Sequence, residues 1–140
     1  MDCIFCKIIE KKIPAEILFE NEQVISILDI NPIHLGHALI LPKVHCKNFL
    51  DLPASTYQSI LSASHIVTKA LVQSLNLDGF NIFSNNGQIA GQSIFHFHLH
   101  ITPRYPDDNI RFVLKLKQYS DGELNRYGTL IRNQISSLVQ

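Results

Sequence analysis

Neither sign of charge predominates in this sequence. Twelve Lys and Arg residues balance twelve Asp and Glu, and no basic run stands out. That argues against a nucleic-acid polymer as the main partner, because binding one rests on neutralising many phosphates. A mononucleotide stays open, since a pocket can hold one phosphate without a basic surface. Long apolar runs are missing as well. No stretch approaches the roughly 18 apolar residues of a membrane span. The start, MDCIFCKIIEKK, has neither the basic n-region nor the long apolar core of a secretory signal. Cysteine is scarce and odd in number, with only Cys3, Cys6 and Cys46. Without a secretory signal, that count points to a reducing compartment and to a metal or free-thiol role. The expectation is a cytoplasmic protein with no membrane partner.

What is present is apolar enough to fold. Hydrophobic residues make up 46% and charged ones 17% of 140 residues, which suits one globular domain with a proper core. CIFCKII (3–9) reads as a short turn of helix. EILFE (16–20) and VISILDI (24–30) read as strands around the turn residues Asn21 and Glu22, and HALILP (37–42) as a third strand after a Pro- and Gly-marked loop. Tyr57, Ile60, Leu61, Ser64, Val67, Leu71 and Leu75 recur at helical spacing, so 54–75 is an amphipathic helix. FNIFS (80–84) is a fourth strand. NNGQIAGQ (85–92) is a polar loop that leads into a fifth strand over 94–102, closed by Pro103 and Pro106. Ser120 and Glu123 form a potential capping box, followed by a C-terminal helix whose face carries Leu124, Tyr127, Ile131, Ile135 and Leu138. Antiparallel strands with a few helices make the class α+β. The chain reads as a single domain, with a catalytic core over about 1–106 and a C-terminal segment over 107–140.

The unusual stretch is HFHLHIT, residues 96–102. In extended backbone His96, His98 and His100 share one face, and Phe97, Leu99 and Ile101 the other. Three readings compete: a satisfied polar row, a histidine-rich metal site, or a nucleophilic histidine oriented by its neighbours. The segment just before, NNGQIAGQS, offers backbone, amide and hydroxyl donors suited to phosphate oxygens. A phosphate loop beside a histidine nucleophile means phosphoryl or nucleotidyl transfer.

HFHLHIT resembles the His-x-His-x-His signature of the histidine triad superfamily. DCIFCKIIEKKIPAEILFENE, LDINPIHLGHALILPKVH and SNNGQIAGQSIFHFHLHITPR look like its Hint-type branch in bacterial form. Thr102 stands where the pattern prefers a hydrophobe. The resemblance implies a five-stranded antiparallel sheet with two main helices, paired into a homodimer with a continuous sheet. It implies cleavage of purine nucleoside monophosphate conjugates through a nucleotidyl-histidine intermediate. His98 matches the nucleophile, His100 a phosphate partner, and His37 the fourth family histidine. Asn85, Gln92 and Ser93 match phosphate-side donors, with Ser93 also near the leaving group. Asp29 matches the ribose-binding carboxylate, and Ile4, Phe5, Ile8, Ile27 and Ile30 match the nucleobase pocket. Read singly, those apolar residues are equally ordinary core. A sensor or scaffold with vestigial catalysis is the alternative function.

Cys3-x-x-Cys6 alone is a weak signal, and small core residues would explain it too. In the bacterial branch and in related uridylyltransferases, the first triad histidine and the histidine of PKxH complete a four-ligand zinc site. Here those are His96 and His45. The resemblance therefore implies a structural zinc at Cys3, Cys6, His45 and His96, with no metal needed for catalysis. Cys46, His34 and His65 carry no expected role.

Overall fold

The computed structural model describes residues 2–140, which form two compact units, one ending at Ile110 and the other spanning Arg111–Gln140. In the first, five antiparallel strands make one sheet. They are β1 (Ile17–Glu20), β2 (Val24–Leu28), β3 (Ala38–Pro42), β4 (Gly79–Phe83) and β5 (Leu99–Arg104), in the order β1-β2-β3-β5-β4. A short helix α1 (Ile4–Ile9) precedes the sheet, and α2 (Tyr57–Leu75) lies between β3 and β4. The Asn21 side chain accepts from the N–H groups of Gln23 and Val24 at 2.9 and 2.8 Å, which turns β1 into β2.

Both sheet faces are covered, so β2 and β3 are buried without alternating and apolar but for Ser26. On one face Val24, Ala38, Ile40, Phe97 and Ile101 pack with Ile60, Ala63, Val67 and Leu71 of α2. On the other, Ile25, Ile27, Leu39 and Leu41 pack with Cys3, Phe5 and Ile8 of the α1 region. Each such side chain, fully buried, contributes about 1.5–3 kcal/mol. The core face of α2 is set one step round from the expected one. Ile60, Ser64, Val67 and Leu71 are buried as expected and Ala63 and Thr68 join them, while Tyr57 and Leu61 are 52% and 73% exposed. The first expected turn, Ala54–Thr56, is a separate 3-10 turn, and α2 ends at Asn76 in the left-handed conformation.

The fifth strand differs most from expectation. Pairing begins at Leu99, so residues 94–98 lie outside the ladder, and it continues through Pro103 to Arg104. Pro103 is tolerated because β3 pairs with β5 only from Leu99 to Ile101, beyond which a missing N–H leaves no β3 partner short. Alternation survives in 94–98 because extended backbone alternates its side chains whether or not it pairs.

In the second unit, residues 111–120 have no regular structure, and α3 (Glu123–Leu138) follows. Its N-cap is Gly122 in the left-handed region, not Ser120. Of the expected capping box only one half forms, the Glu123 carboxylate accepting from the Ser120 N–H at 2.8 Å. Leu124, Tyr127, Ile131, Ile135 and Leu138 do fall on one stripe, and all of them are exposed.

Candidate functional site

The triad histidines sit where β5 begins, under α1 and beside the loop that enters β3. Gly36, at φ +90°, makes the last turn of that loop. That backbone conformation favours glycine, and a Cβ there would stand 2.7 Å from Leu75 Cδ1, so any other residue would be strained and would push the Leu75 side chain aside where the chain delivers His37. The loop is tied down by Asp29 N–H to the His37 carbonyl at 2.9 Å and His37 N–H to the His34 carbonyl at 3.0 Å.

Hydrogen-bond partners settle which nitrogen of each ring carries the proton. His98 Nδ1 lies 2.7 Å from the His96 carbonyl. A carbonyl only accepts, so Nδ1–H donates and Nε2 keeps its lone pair. His96 Nε2 lies 2.8 Å from the Pro42 carbonyl, so there the lone pair is on Nδ1. The Ile33 N–H donates to His37 Nδ1 at 3.0 Å. His37 Nε2–H therefore donates to His100 Nδ1 at 2.9 Å, and His100 carries its own hydrogen on Nε2. Burial lowers the pKa of His37, His96 and His98 below 6.5. Burial, with His98 and His37 close by, pushes His100 down to about 4. All four rings are neutral at pH 7, so these tautomers hold. Phe83 stacks on His100 with ring centres 4.6 Å apart and planes within 10°. The rings of His98 and His100 are 4.7 Å apart.

The other expected residues divide. Asp29 is half-buried. One carboxylate oxygen accepts from the Asn31 N–H at 2.8 Å, and the other is 3.9 Å from His37 Nδ1. Ser93 is exposed and lines a cleft of about 480 Å³ together with Cys3, Ile4, His45, Lys47 and Phe95. Asn85 is half-buried and lies beside Gly91. Gln92 is buried, and its amide is used within the protein. It donates to the Lys47 and Ile94 carbonyls at 2.6 and 3.1 Å and accepts from the Gly87 N–H at 2.8 Å. The expectation that it donates to phosphate is revised: this side chain braces the loop. Phe5, Ile8 and Ile27 belong to the core cluster under α1, and Ile4 stands at the cleft. Ile30 is 85% exposed on the loop. Sequence reasoning missed Phe83, the Pro42 carbonyl and the Ile33 N–H. Phe83 is recoverable from register, since it pairs with His100.

Cys3, Cys6, His45 and His96 converge on a second centre, with their ligand atoms all within 4.8 Å of one another. His45 Nδ1 is 3.2 Å from His96 Nδ1, and the Sγ–Nδ1 separations are 3.5, 3.6 and 3.3 Å for Cys3–His96, Cys6–His96 and Cys6–His45. A tetrahedral zinc with bonds of about 2.3 Å to sulfur and 2.0–2.1 Å to nitrogen has edges of about 3.6 Å for S–N and 3.3 Å for N–N. The quartet fits that ion, and His96 offers it the nitrogen that Pro42 leaves free. Burial and the Cys3 thiol push Cys6 up to about 11. A divalent cation supplies the charge that would reverse this and hold both sulfurs as thiolates.

The profile of the HIT domain matches residues 10–107. The adenylylsulfatase HINT3 of Arabidopsis thaliana is 37% identical over 140 residues, covering 98% of this chain and 71% of that protein. The adenosine 5'-monophosphoramidase HNT1 of Saccharomyces cerevisiae is 40% identical over 102 residues, covering 73% of this chain and 62% of its own. Among solved structures, a HIT family protein from Bacillus anthracis superposes with a TM-score of 0.89 at 38% identity, covering 95% of this chain and 96% of that one. A zinc-bound histidine triad family protein from Mycobacterium smegmatis does so at 0.74 and 33%, covering 99% and 98%. With the fold, the histidine row and these relatives in agreement, the chain belongs to the HIT domain family.

Proposed function

We propose that this protein cleaves purine nucleoside monophosphate conjugates, such as phosphoramidates and adenylates, through a nucleotidyl-histidine intermediate on His98. The observation that carries this is the tautomer of His98. Its Nδ1–H is committed to the His96 carbonyl, so Nε2 presents a lone pair in neutral form. In the first step that pair forms an Nε2–P bond at the α-phosphorus. The bond from phosphorus to the leaving group breaks, and its electron pair departs with the leaving group, which takes up a proton. In the second step water attacks the same phosphorus, the Nε2–P bond returns its pair to the imidazole, and the monophosphate leaves. Another acceptor in place of water makes the same intermediate a transferase.

The remaining residues serve these steps. His100 Nε2–H donates to a non-bridging phosphate oxygen, where charge develops. His37 keeps it in that tautomer, and Phe83 keeps its ring plane. Ser93, at the open cleft, meets the leaving group. Asn85 donates on the phosphate side, and Gln92 shapes the loop. Asp29 takes the ribose hydroxyls with the carboxylate oxygen not bound to Asn31. Ile4, Phe5, Ile8 and Ile27 form the apolar wall for the base, with Ile30 at its outer rim. Zinc at Cys3, Cys6, His45 and His96 is structural and supplies folding energy when bound. Its thiolate ligands suit a reducing, cytoplasmic setting.

The relatives support a nucleotide conjugate as substrate, since one is named for adenylyl sulfate and another for an adenosine monophosphoramidate. A homodimer is part of the same reading. The edge strand β4 exposes Phe80 and Ile82, and α2 exposes Tyr57, Leu61 and Ile66, so a helix and a strand both offer apolar surface for a second copy. The test is a turnover screen of AMP conjugates (phosphoramidates, aminoacyl-adenylates, adenylyl sulfate, dinucleoside polyphosphates), with acid-quench trapping of the adduct. Turnover with a nucleotidyl-protein adduct is the expected result. Tight AMP binding with no adduct and no turnover would favour a nucleotide sensor instead.

A further inference from the structure

The metal quartet and the nucleophile share more than sequence proximity. Cys3 is the N-cap of α1, and its Sγ accepts from the Cys6 N–H at 3.5 Å, so both sulfurs belong to the first turn of that helix. Between them stand Ile4 and Phe5. The Phe5 ring meets His96 edge-on at 5.9 Å between centres, and His98 at 5.1 Å. One aromatic side chain thus touches a metal ligand and the nucleophile together. A second path runs through His96 itself, whose Nδ1 faces the sulfurs while its carbonyl holds His98 Nδ1–H. α1 has six residues, fewer than the roughly 12–15 at which an isolated helix becomes even marginal. Its placement therefore depends on what pins it, and the two sulfurs are at its first turn.

We infer that metal and nucleotide bind with positive linkage through α1: the ion at Cys3, Cys6, His45 and His96 tightens nucleotide binding, and bound nucleotide tightens the hold on the ion. This rests on the nucleotide reading above and goes beyond a purely structural role for the metal. With the ion bound, Phe5 is held against His98, and the apolar wall is formed before the base arrives. Without it, the nucleotide must order α1 as well as bind. Linkage is reciprocal, so the factor by which zinc tightens AMP must equal the factor by which AMP tightens zinc.

The cleft lined by Cys3 and His45 gives a chelator access, which makes the test practical. AMP affinity is measured by titration calorimetry on zinc-loaded protein and on protein stripped by chelation, with circular dichroism on both. Zinc affinity is measured by competition with a chromogenic chelator, with and without saturating AMP. At least a fivefold change is expected in each, with equal factors, which is the low end of coupling between sites. Phe5→Leu keeps both sulfurs and an apolar wall but loses the ring contacts, and its coupling factor should fall toward one. If the stripped protein unfolds, that variant decides: a factor as large as wild type would mean stability alone carries the effect and overturns the α1 route. Equal AMP affinities with and without zinc in folded protein overturn the linkage and leave the nucleotide reading intact. No AMP binding by zinc-loaded protein overturns both, and no zinc binding at all overturns the linkage.

Discussion

Lowering the pH from 7 to 5 should destabilise this protein, and His100 accounts for a definable part of the loss. Its pKa is about 4 when folded, against 6.5 for a free imidazole, chiefly because burial disfavours the charged ring. The unfolded chain therefore takes up the proton first. The stabilisation is fully present above pH 6.5 and is lost as pH falls toward 4. Between pH 7 and pH 5 the two pKa values give at most about 2 kcal/mol from this group, and because the ring is only half-buried, solvent screening brings the expected loss to about 1 kcal/mol. For a chain of this length that is roughly 3–4 °C in Tm. His37, His96 and His98 are shifted in the same direction by burial and add to the loss. Acid also expels a metal by protonating its ligands, so the His100 share must be isolated. His100→Gln cannot take the proton. Urea melts of both proteins from pH 7 to 5 should show the shallower slope in the variant, by about 0.5 kcal/mol per pH unit over that range. Parallel slopes would refute the half-buried, neutral His100, and with it the tautomer that His37 imposes.

Other perturbations separate the two centres. His98→Ala should abolish the nucleotidyl adduct and cut turnover by several orders of magnitude while metal content and Tm survive, whereas Cys3→Ala, Cys6→Ala and His96→Ala should lower metal content and Tm and still form some adduct when folded; metal analysis, a melt and an adduct assay on the four variants read this out. Asp29→Asn should erase the preference for AMP over 2′-deoxy-AMP, because a site that hydrogen-bonds a hydroxyl rejects the analogue lacking it; calorimetry that finds no such preference in the unaltered protein would remove Asp29 from the ribose role. Light scattering should give a mass about twice the 15.9 kDa chain, and AMP affinity should vary little with salt, unlike polymer binding with its many phosphate contacts.

How much of this was legible before the structure depends on the kind of contact. Val24 to Leu28 and Ala38 to Pro42 stand out as apolar runs, because burial on both faces leaves only Ser26 as a polar position in them. The core face of α2 was less legible. Ser64 was read onto that face and is buried there, but small Ala63 and polar Thr68, also buried, add little to an apolar pattern, while Tyr57 and Leu61 score well and face outward. The period-two row from Phe95 to Ile101 reports extended backbone, not pairing, so it could not show that the ladder begins only at Leu99. Within the site, side chains with distinctive chemistry were visible and their partners were not. His98 can be singled out from a motif, but its tautomer is set by a backbone carbonyl, as is that of His96. Gln92 looks like a phosphate donor in a polar loop, and only the fold shows its amide engaged at both ends.

The break between residues 98 and 99 bears on how this centre could be redesigned. Inserting or deleting one residue inside a ladder turns every following side chain to the opposite face. Residues 94–98 escape that constraint, being moored by cross-loop bonds: Gln92 to the Ile94 carbonyl, Phe97 N–H to the Cys46 carbonyl at 2.7 Å, and His96 to Pro42. The register of β5 is set separately, by β4 and β3. The segment is therefore a module hinged onto a finished sheet. Of the four metal-binding residues only His96 lies in it, so replacing Cys3, Cys6, His45 and His96 by an apolar plug of similar volume gives up the His96–Pro42 mooring but leaves in place the pairing of the strand that carries His100. An engineer seeking a metal-free version of this protein has four positions to repack and no strand to realign.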